Sequence, residues 1–149
     1  MTDVSADCLL CRIAAREVAA HVLHEDGRLI AFLDICPIRP GHALIVPKRH
    51  HCYFDDMPAD LAGLIIVLGQ KLAVAMKHIY GVPRVAFLFT GGDLPHVHAH
   101  VVPMHENTDI TSRRYIAQEQ LTFRDAPRIP GHELSATAEN LVAALQTIG

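Results

Sequence analysis

The stretch Pro-His-Val-His-Ala-His-Val-Val-Pro, residues 95–103, places His96, His98 and His100 at alternate positions. Successive side chains on a β-strand point to opposite faces of the sheet. A strand over 96–102 therefore puts three imidazoles on one face and small apolar side chains on the other. This pattern predicts a strand that packs on a core with one face and carries histidine chemistry on the other.

Three roles are open to these imidazoles. They can simply populate a solvated strand face, although three in strict alternation are hard to explain in that way. They can ligate a catalytic metal, but such a site also needs a carboxylate, and the flanking sequence offers only Asp93 and Glu106. They can also act in nucleophilic catalysis, because a neutral imidazole attacks phosphorus and splits one displacement into two steps. The third role is favoured.

The composition sets limits on the class of protein. The 149 residues are 50% apolar, which is enough for one domain, 1–149, with its own core. The net charge of −3 arises from interspersed charges and gives no field that would gather nucleic acid or an anionic membrane. The first residues lack the charged and apolar regions of a signal peptide. We expect a cytoplasmic protein with neither nucleic-acid nor membrane partners.

The hydrophobic pattern outside the histidine stretch predicts the remaining elements. Asp26-Gly27 is a hairpin signal, Pro47 and Pro103 end strands, and Asp7, Thr111 or Asp109, and Ser135 are candidate helix caps. Helices are predicted at 8–16, 58–79, 111–116 and 136–147, and strands at 20–24, 28–33, 42–46, 84–90 and 96–102. Because strands and helices do not alternate regularly, the predicted class is α+β: a mainly antiparallel five-stranded sheet, one long helix, and short N- and C-terminal helices.

Residues 95–103 resemble the signature of the histidine-triad (HIT) proteins, in which three histidines alternate with apolar residues. Two more segments resemble that family in the same order: AFLDICPIRPGHALIVPKRHH, residues 31–51, and CLLCRI, residues 8–13. The resemblance covers about residues 8–103 and leaves 104–149 as a C-terminal extension. It implies a HIT-like fold and a homodimer.

The resemblance also implies roles for individual residues. His98 would be the nucleophile, His100 would hydrogen-bond a phosphoryl or bridging oxygen, and His42 would support the triad through His96. Asp34 would accept hydrogen bonds from ribose hydroxyls. The residues matching the purine pocket are Leu10, Ile13, Phe32 and Ile35, for which a plain core role is equally open.

The activity implied is hydrolysis or transfer at the α-phosphate of a purine nucleotide conjugate through a covalent nucleotidyl-histidine. The conjugate would be a phosphoramidate, a mixed anhydride or a dinucleoside polyphosphate. The alternatives are a purine-nucleotide binding or sensing protein with little turnover, and a zinc protein whose histidines serve metal only.

Cys8 and Cys11 are spaced Cys-x-x-Cys, which presents two thiolates to one metal ion. Two buried thiols or a redox pair are the other interpretations. The resemblance to zinc-carrying bacterial members implies that His50 and His96 complete a structural zinc site, with His51 a neighbouring alternative to His50.

The loop before the triad departs from the family pattern. Aligned backwards from His96, Asp93 stands where relatives carry Ser or Thr, and Gly92 stands where they carry Gln. A carboxylate repels an anionic leaving group, so Asp93 either points away or favours a cationic one, such as an amine. The backbone N–H groups of Gly91 and Gly92 can contact an anion, although a turn is the simpler interpretation. Arg113 and Arg114 are a second candidate phosphate contact, against solvated surface arginines.

Overall fold

The computed structural model describes residues 7–148 except 93, 113, 115, 118, 119, 121, 123 and 124. Its helices are α1 (Leu9–Ala14), α2 (Ala59–Tyr80) and α3 (Gly131–Thr147), and its strands are β1 (Val22–Glu25), β2 (Leu29–Leu33), β3 (Ala43–Pro47), β4 (Arg84–Phe89) and β5 (Ala99–Met104). The five strands form one sheet in the order β1-β2-β3-β5-β4, with every pair antiparallel. The predicted α+β class with a five-stranded antiparallel sheet is confirmed.

The main core lies between one face of the sheet and the two long helices. α2 buries a stripe that recurs at helical spacing, and α3 adds Leu134, Ala138 and Leu141 to the same cluster. The stripe on α2 comprises Leu61, Ile65, Leu68, Leu72, Ala75 and Met76. The sheet contributes side chains such as Ile45 and Val101, both completely buried. α2 therefore packs on the central strands β3 and β5 and fixes their position.

The opposite face of the sheet carries α1 and a second, smaller cluster. Ile30, Phe32 and Val46 from the sheet pack there against α1. His100 lies directly across from Leu44 on β3 and from Leu88 on β4. Residues directly opposite in an antiparallel pair project to the same face. Since Leu44 packs on the second cluster, His100 faces the α1 side of the sheet.

The predicted strand over 96–102 is wrong at both ends. β5 begins at Ala99, so His96 and His98 precede it, and it continues through Pro103 to Met104. The pairing with β3 does not extend to the residues before Ala99, because these residues make other hydrogen bonds. The Val97 N–H donates to the carbonyl of His51 at 2.8 Å. The carbonyl of Pro47 accepts from the His96 ring at 2.9 Å. The histidine stretch is thus part strand and part structured loop.

Other boundaries also differ. α3 has 17 residues, begins at Gly131 after Pro130 and is not capped by Ser135, so the C-terminal helix is not short. The N-cap of α1 is Cys8 rather than Asp7, because the Cys8 sulfur accepts from the Cys11 N–H at 3.5 Å. The helix predicted at 111–116 includes positions 113 and 115, which lie outside the described residues. The remaining strand ends and those of α2 agree with the prediction to within two residues.

α2 is long and apolar enough to cross a membrane by length and composition alone. Core helices of soluble proteins pass the same test, and the buried stripe of α2 packs on the sheet as such a helix does. Its outer face nevertheless exposes apolar side chains, among them Ile66, Val67 and Val74.

Gly41 joins the fold to the site. Its φ of +92° disfavours any side chain, and a Cβ there would lie 2.5 Å from the Tyr80 ring at the end of α2. We predict that Gly41→Ala lowers the free energy of unfolding by about 2 to 4 kcal/mol through backbone strain and overpacking. Urea denaturation measures this. Gly27→Ala is the control, since a Cβ at Gly27 meets nothing within 4 Å; equal effects of both substitutions would contradict the argument.

Candidate active site

His42 is held by the turn that precedes β3. Its own N–H donates to the Arg39 carbonyl at 3.0 Å, and its ring Nδ1 accepts from the Ile38 N–H at 3.1 Å. The side chain is 3% exposed. Burial lowers the pKa of His42 to about 4, and the Asp34 carboxylate, 3.9 Å from Nε2, offsets this only in part. His42 is therefore neutral near pH 7, and because Nδ1 accepts, its proton is on Nε2.

This proton determines the state of His100. His42 Nε2 lies 2.9 Å from His100 Nδ1, so the His42 N–H donates and His100 Nδ1 accepts. A neutral His100 then carries its own proton on Nε2. The expectation that His42 supports the triad through His96 is wrong, because His42 contacts His100. Through His42, the turn thus fixes the His100 Nε2–H as a hydrogen-bond donor.

His98 is held in the complementary way. Its Nδ1 lies 2.7 Å from the carbonyl oxygen of His96, and a carbonyl can only accept, so Nδ1 carries the proton. The Nε2 of a neutral His98 consequently keeps its lone pair. The ring is 7% exposed and its centroid is 5.0 Å from that of His100. One histidine thus offers a nucleophilic nitrogen beside another that offers a proton.

A cleft of about 320 Å³ opens at His98. Its walls come from the loop after β3, from the end of β4 and from the histidine stretch. The lining residues are Cys52, Tyr53, Phe54, Asp55, Phe89, Thr90, Gly91, His96, Val97 and His98. Gly91 has a φ of +65°, and a Cβ at this position would lie 3.5 Å from the Tyr53 ring. Gly92 has open space around it. Asp93, whose predicted role concerns the leaving group, lies outside the described residues.

His96 faces a different group of side chains. Its Nε2 donates to the Pro47 carbonyl, which leaves Nδ1 as an acceptor 3.3 Å from both the Cys8 and the Cys11 sulfur. His50 Nδ1 lies 3.2 Å from the Cys11 sulfur. Burial lowers the pKa of His96 to about 4, so its ring is neutral. The structure therefore brings together the four ligands predicted from the sequence, with His50 rather than His51 among them.

The dimensions of this cluster suit zinc. Its four donor atoms all lie within 4.8 Å of one another. A tetrahedral zinc ion with Zn–S near 2.3 Å and Zn–N near 2.0 Å has ligand-to-ligand distances of about 3.3 to 3.8 Å. Two thiols and two neutral imidazoles are also the donor set that zinc prefers. The residues present fit a structural zinc ion.

Asp34, His42 and His100 form a second close group. Here the hydrogen bonds argue against a metal. The Ile38 N–H occupies His42 Nδ1, so Nε2 holds the ring proton and has no lone pair for an ion. This group is a hydrogen-bonded chain rather than a metal site.

The residues assigned to a nucleotide have mixed positions. Asp34 is partly exposed, and its Oδ1 accepts from the Cys36 N–H at 2.8 Å. Leu10, Ile13 and Phe32 are buried in the second core cluster, whereas Ile35 is 45% exposed. The core role of the three buried residues is established, and their contact with a purine stays a prediction.

The sequence pointed to the loop that follows β5 as a candidate helix start and phosphate contact, but it gave no sign of the contact between this loop and Arg39. Residues 109–112 form one wall of a cleft of about 480 Å³ that includes His100, with Ile38, Leu88 and Thr90 opposite. Asp109 caps the N–H groups of His105 and Glu106 and pairs with Arg39. No spacing signal links Arg39 to Asp109, because the contact spans 70 positions.

The HIT domain family matches residues 15–107. The chain belongs to the HIT family. An uncharacterised HIT-like protein of Methanocaldococcus jannaschii is 36% identical over 103 residues, which cover 66% of this chain and 80% of that protein. An adenosine 5′-monophosphoramidase of Saccharomyces cerevisiae is 34% identical over 104 residues, which cover 69% of this chain and 66% of that enzyme.

Solved structures agree with this assignment. The crystal structure of a zinc-bound histidine triad family protein from Mycobacterium smegmatis has a TM-score of 0.74 at 25% identity and covers 95% of both chains. A hypothetical histidine triad nucleotide-binding protein from Sulfolobus tokodaii has a TM-score of 0.77 at 18% identity, covers 95% of this chain and 93% of its own, and supports the fold alone. The predicted HIT-like fold is confirmed.

The neutral, buried His42 makes stability depend on pH. Unfolded His42 takes up a proton near pH 6.5, whereas folded His42 resists until about pH 4. Protons therefore favour the unfolded chain below pH 6.5, and stability falls as the pH drops from 6.5 to 4. We predict that His42→Gln removes up to about 3 kcal/mol of this fall, measured by urea denaturation across that range. The exposed His132→Gln should leave the slope unchanged; an unaltered slope in His42→Gln would contradict a buried neutral ring.

Proposed function

We propose that this HIT protein transfers a nucleoside monophosphate from a purine nucleotide conjugate to water through a covalent bond between phosphorus and His98 Nε2. The observation that carries the proposal is the 2.7 Å hydrogen bond from His98 Nδ1 to the His96 carbonyl. It fixes the tautomer in which Nε2 is the nucleophile. The neighbouring His100 supplies a hydrogen-bond donor 5.0 Å away, centroid to centroid.

In the first step the Nε2 lone pair attacks the α-phosphorus and the bond to the leaving group breaks. The electron pair departs with the leaving atom, which takes a proton from solvent. The His98 ring becomes cationic because Nδ1 keeps its proton, and the His96 carbonyl stabilises that charge. In the second step water attacks phosphorus, the Nε2–P bond breaks, its electrons return to the ring, and the water releases a proton to solvent.

His100 acts on the oxygens around phosphorus. With Nδ1 occupied by the His42 proton, its Nε2–H donates to a phosphoryl or bridging oxygen, where negative charge increases in the transition state. The fixed geometry means that no reorganisation is needed during the reaction. His42 is therefore a positioning residue, and His98 and His100 are the residues that touch the reacting group.

The relatives and the pocket residues support a proposal for the substrate class. We propose a phosphoramidate of a purine nucleotide as the preferred substrate. Mixed anhydrides and dinucleoside polyphosphates are the alternative substrate classes. The 34% sequence identity to the yeast adenosine 5′-monophosphoramidase supports this preference for a phosphoramidate. Asp34 would bind the ribose hydroxyls, and Leu10, Ile13, Phe32 and Ile35 would contact the base. A binding or sensing role with little turnover is the second candidate, favoured by the replacement of Gln by Gly92 in the loop before the triad.

We predict that His98→Ala abolishes hydrolysis of adenosine 5′-phosphoramidate while binding of AMP survives, because the substitution deletes the nucleophile and leaves the remaining pocket in place. Steady-state kinetics and calorimetric titration with AMP provide the two measurements. The exposed His132→Ala is the matched control and should keep full activity. Retention of more than about a tenth of the wild-type kcat, a barrier change below about 1.4 kcal/mol, would contradict the assignment of the nucleophile.

We propose that Cys8, Cys11, His50 and His96 hold a structural zinc ion. The ion would supply a rigid cross-link between α1 and the segment that leads into His98, without taking part in the reaction. The fit of the donor set and the zinc-bound relative support this. The free cysteines also suit the reducing cytosol, which is the location we propose for the protein.

The purified protein should contain close to one zinc per chain. Replacing Cys8 and Cys11 together by Ser should remove the zinc and lower the melting temperature, because metal binding contributes to folding. Cys36→Ser is the control, as Cys36 is outside the donor group. Metal analysis after preparation without chelators gives the answer; a zinc-free wild-type protein, or zinc retained in the double variant, would disprove this site.

We also propose a homodimer formed by the outer face of α2. Leu64, Ile66, Val67 and Val74 on this face are 41 to 52% exposed, more apolar surface than a solvated helix face usually carries. β4 is an edge strand beside α2, and its Phe87 contacts Gly69. A helix face and an adjoining sheet edge form a continuous surface that can pair with itself across a two-fold axis.

Val67→Glu should convert the dimer to a monomer in light scattering at micromolar concentration, because it places a charge in the apolar contact. Ala136→Glu adds the same charge to the exposed surface of α3 and should leave the dimer intact. A wild-type protein that is monomeric under these conditions would refute the proposed interface.

A further inference from the structure

Arg39 and Asp109 form an ion pair at the edge of the His100 cleft. The Arg39 Nε and Nη2 donate to Asp109 Oδ1 at 2.9 and 2.7 Å. Asp109 Oδ2 accepts from the His105 and Glu106 N–H groups at 2.9 and 3.0 Å. The Asp109 side chain is only 7% exposed. Every oxygen of this carboxylate is thus engaged, and charge-assisted bonds of this kind are strong.

The two ends of the pair belong to the two segments that carry the hydrogen-bonded histidines. Arg39 follows Ile38, whose N–H donates to His42 Nδ1. The Arg39 carbonyl accepts from the His42 backbone N–H. Asp109 closes the loop directly after β5, the strand that carries His100. The ion pair therefore joins the turn that holds His42 to the strand that holds His100.

The outer side of the turn is exposed, whereas Gly41 at its base packs on the Tyr80 ring. Ile38 is 44% exposed, and Pro40 is also exposed. Exposed loop positions with little packing open at low free-energy cost. If the turn moves and the Ile38 N–H leaves His42 Nδ1, the ring proton of His42 can reside on Nδ1 instead of Nε2. His42 Nε2 would then be an acceptor and would no longer fix the proton position on His100.

We propose that the Arg39–Asp109 pair is a positioning device for His100: it holds the 38–42 turn so that His42 keeps its proton on Nε2 and His100 keeps its own on Nε2. Neither residue touches the reacting group. Asp109 lies beyond the matched HIT domain, so this function belongs to the C-terminal extension of the chain. The kinetic consequence rests on the proposed function, whereas the proton positions do not.

The test uses Asp109→Asn and Arg39→Met in the 149-residue protein as purified without chelators. Asn keeps the size and an acceptor for the loop N–H groups but loses the charge that binds Arg39. Glu106→Gln is the matched control, because Glu106 is the other carboxylate near Arg39 but is exposed and 3.9 Å away. Arg39→Lys keeps the positive charge and is the conservative variant.

The first readout is the ¹⁵N spectrum of histidine-labelled protein, which identifies the protonated nitrogen of each ring. Wild type and Glu106→Gln should show single Nε2–H forms for His42 and His100, and Asp109→Asn and Arg39→Met should show a mixture of both tautomers. The second readout is the hydrolysis of adenosine 5′-phosphoramidate. In the two variants we expect kcat to fall by about tenfold or more with KM changed less than about threefold, because misplacement near a reacting group costs rate. Arg39→Lys should recover part of this loss.

Single Nε2–H tautomers in both Asp109→Asn and Arg39→Met would overturn the proposal, as would equal effects of Glu106→Gln and Asp109→Asn. If one of these two variants, Asp109→Asn or Arg39→Met, fails to fold, the tautomers in the other decide: a mixture supports the device and a single form rejects it. Absence of turnover in the wild type would count against the proposed function alone, because the spectrum would still report on the histidines.

Discussion

The hydrogen bond from the Ile38 N–H to His42 Nδ1 sets the chemistry of the site. A backbone N–H can only donate, so the proton of a buried, neutral His42 must be on Nε2. His42 Nε2–H donates to His100 Nδ1, and the proton of a neutral His100 is therefore also on Nε2. The His96 carbonyl does the converse for His98 by holding its Nδ1 proton. Two backbone groups thus give two neighbouring imidazoles opposite roles. The side chains alone would be interchangeable.

The rest of the fold serves these two backbone groups. The Ile38–His42 turn is fixed by Gly41, which lies directly on the Tyr80 ring at the end of α2. The His96 carbonyl is fixed because the His96 ring is anchored at both nitrogens, to Pro47 on one side and toward Cys8 and Cys11 on the other. The core and the proposed zinc site therefore act on the reaction only through the backbone that they hold.

Much of the architecture could be predicted from local patterns. The apolar stripe of α2 and the short apolar strands set the number and type of elements, since burial requires a period of 3.6 in a helix. The start of β5 could not be found in this way, because His96 and Val97 bond to Pro47 and His51, which are distant in sequence. The cap and length of α3 were missed because Ser135 suggested a later start than Pro130.

The site shows the same division. The structure brings the four candidate metal ligands together and places the rings of His42, His98 and His100 in a separate group. The resemblance named all of these residues. It assigned His42 to His96, however, because which two rings meet depends on the register of β3 against β5. The pairing of Arg39 with Asp109 had no local signal, since the contact exists only once the turn and the loop after β5 have folded.

Trapping the covalent adduct tests the central claim most directly. Protein mixed with adenosine 5′-phosphoramidate and quenched within one turnover in alkaline denaturant, where a phosphorus–imidazole bond survives, is digested and analysed by mass spectrometry. The account predicts one nucleoside monophosphate on the peptide that contains residues 95–103, attached to His98 and absent from His98→Ala. Turnover without any adduct, or an adduct on another residue, would contradict it.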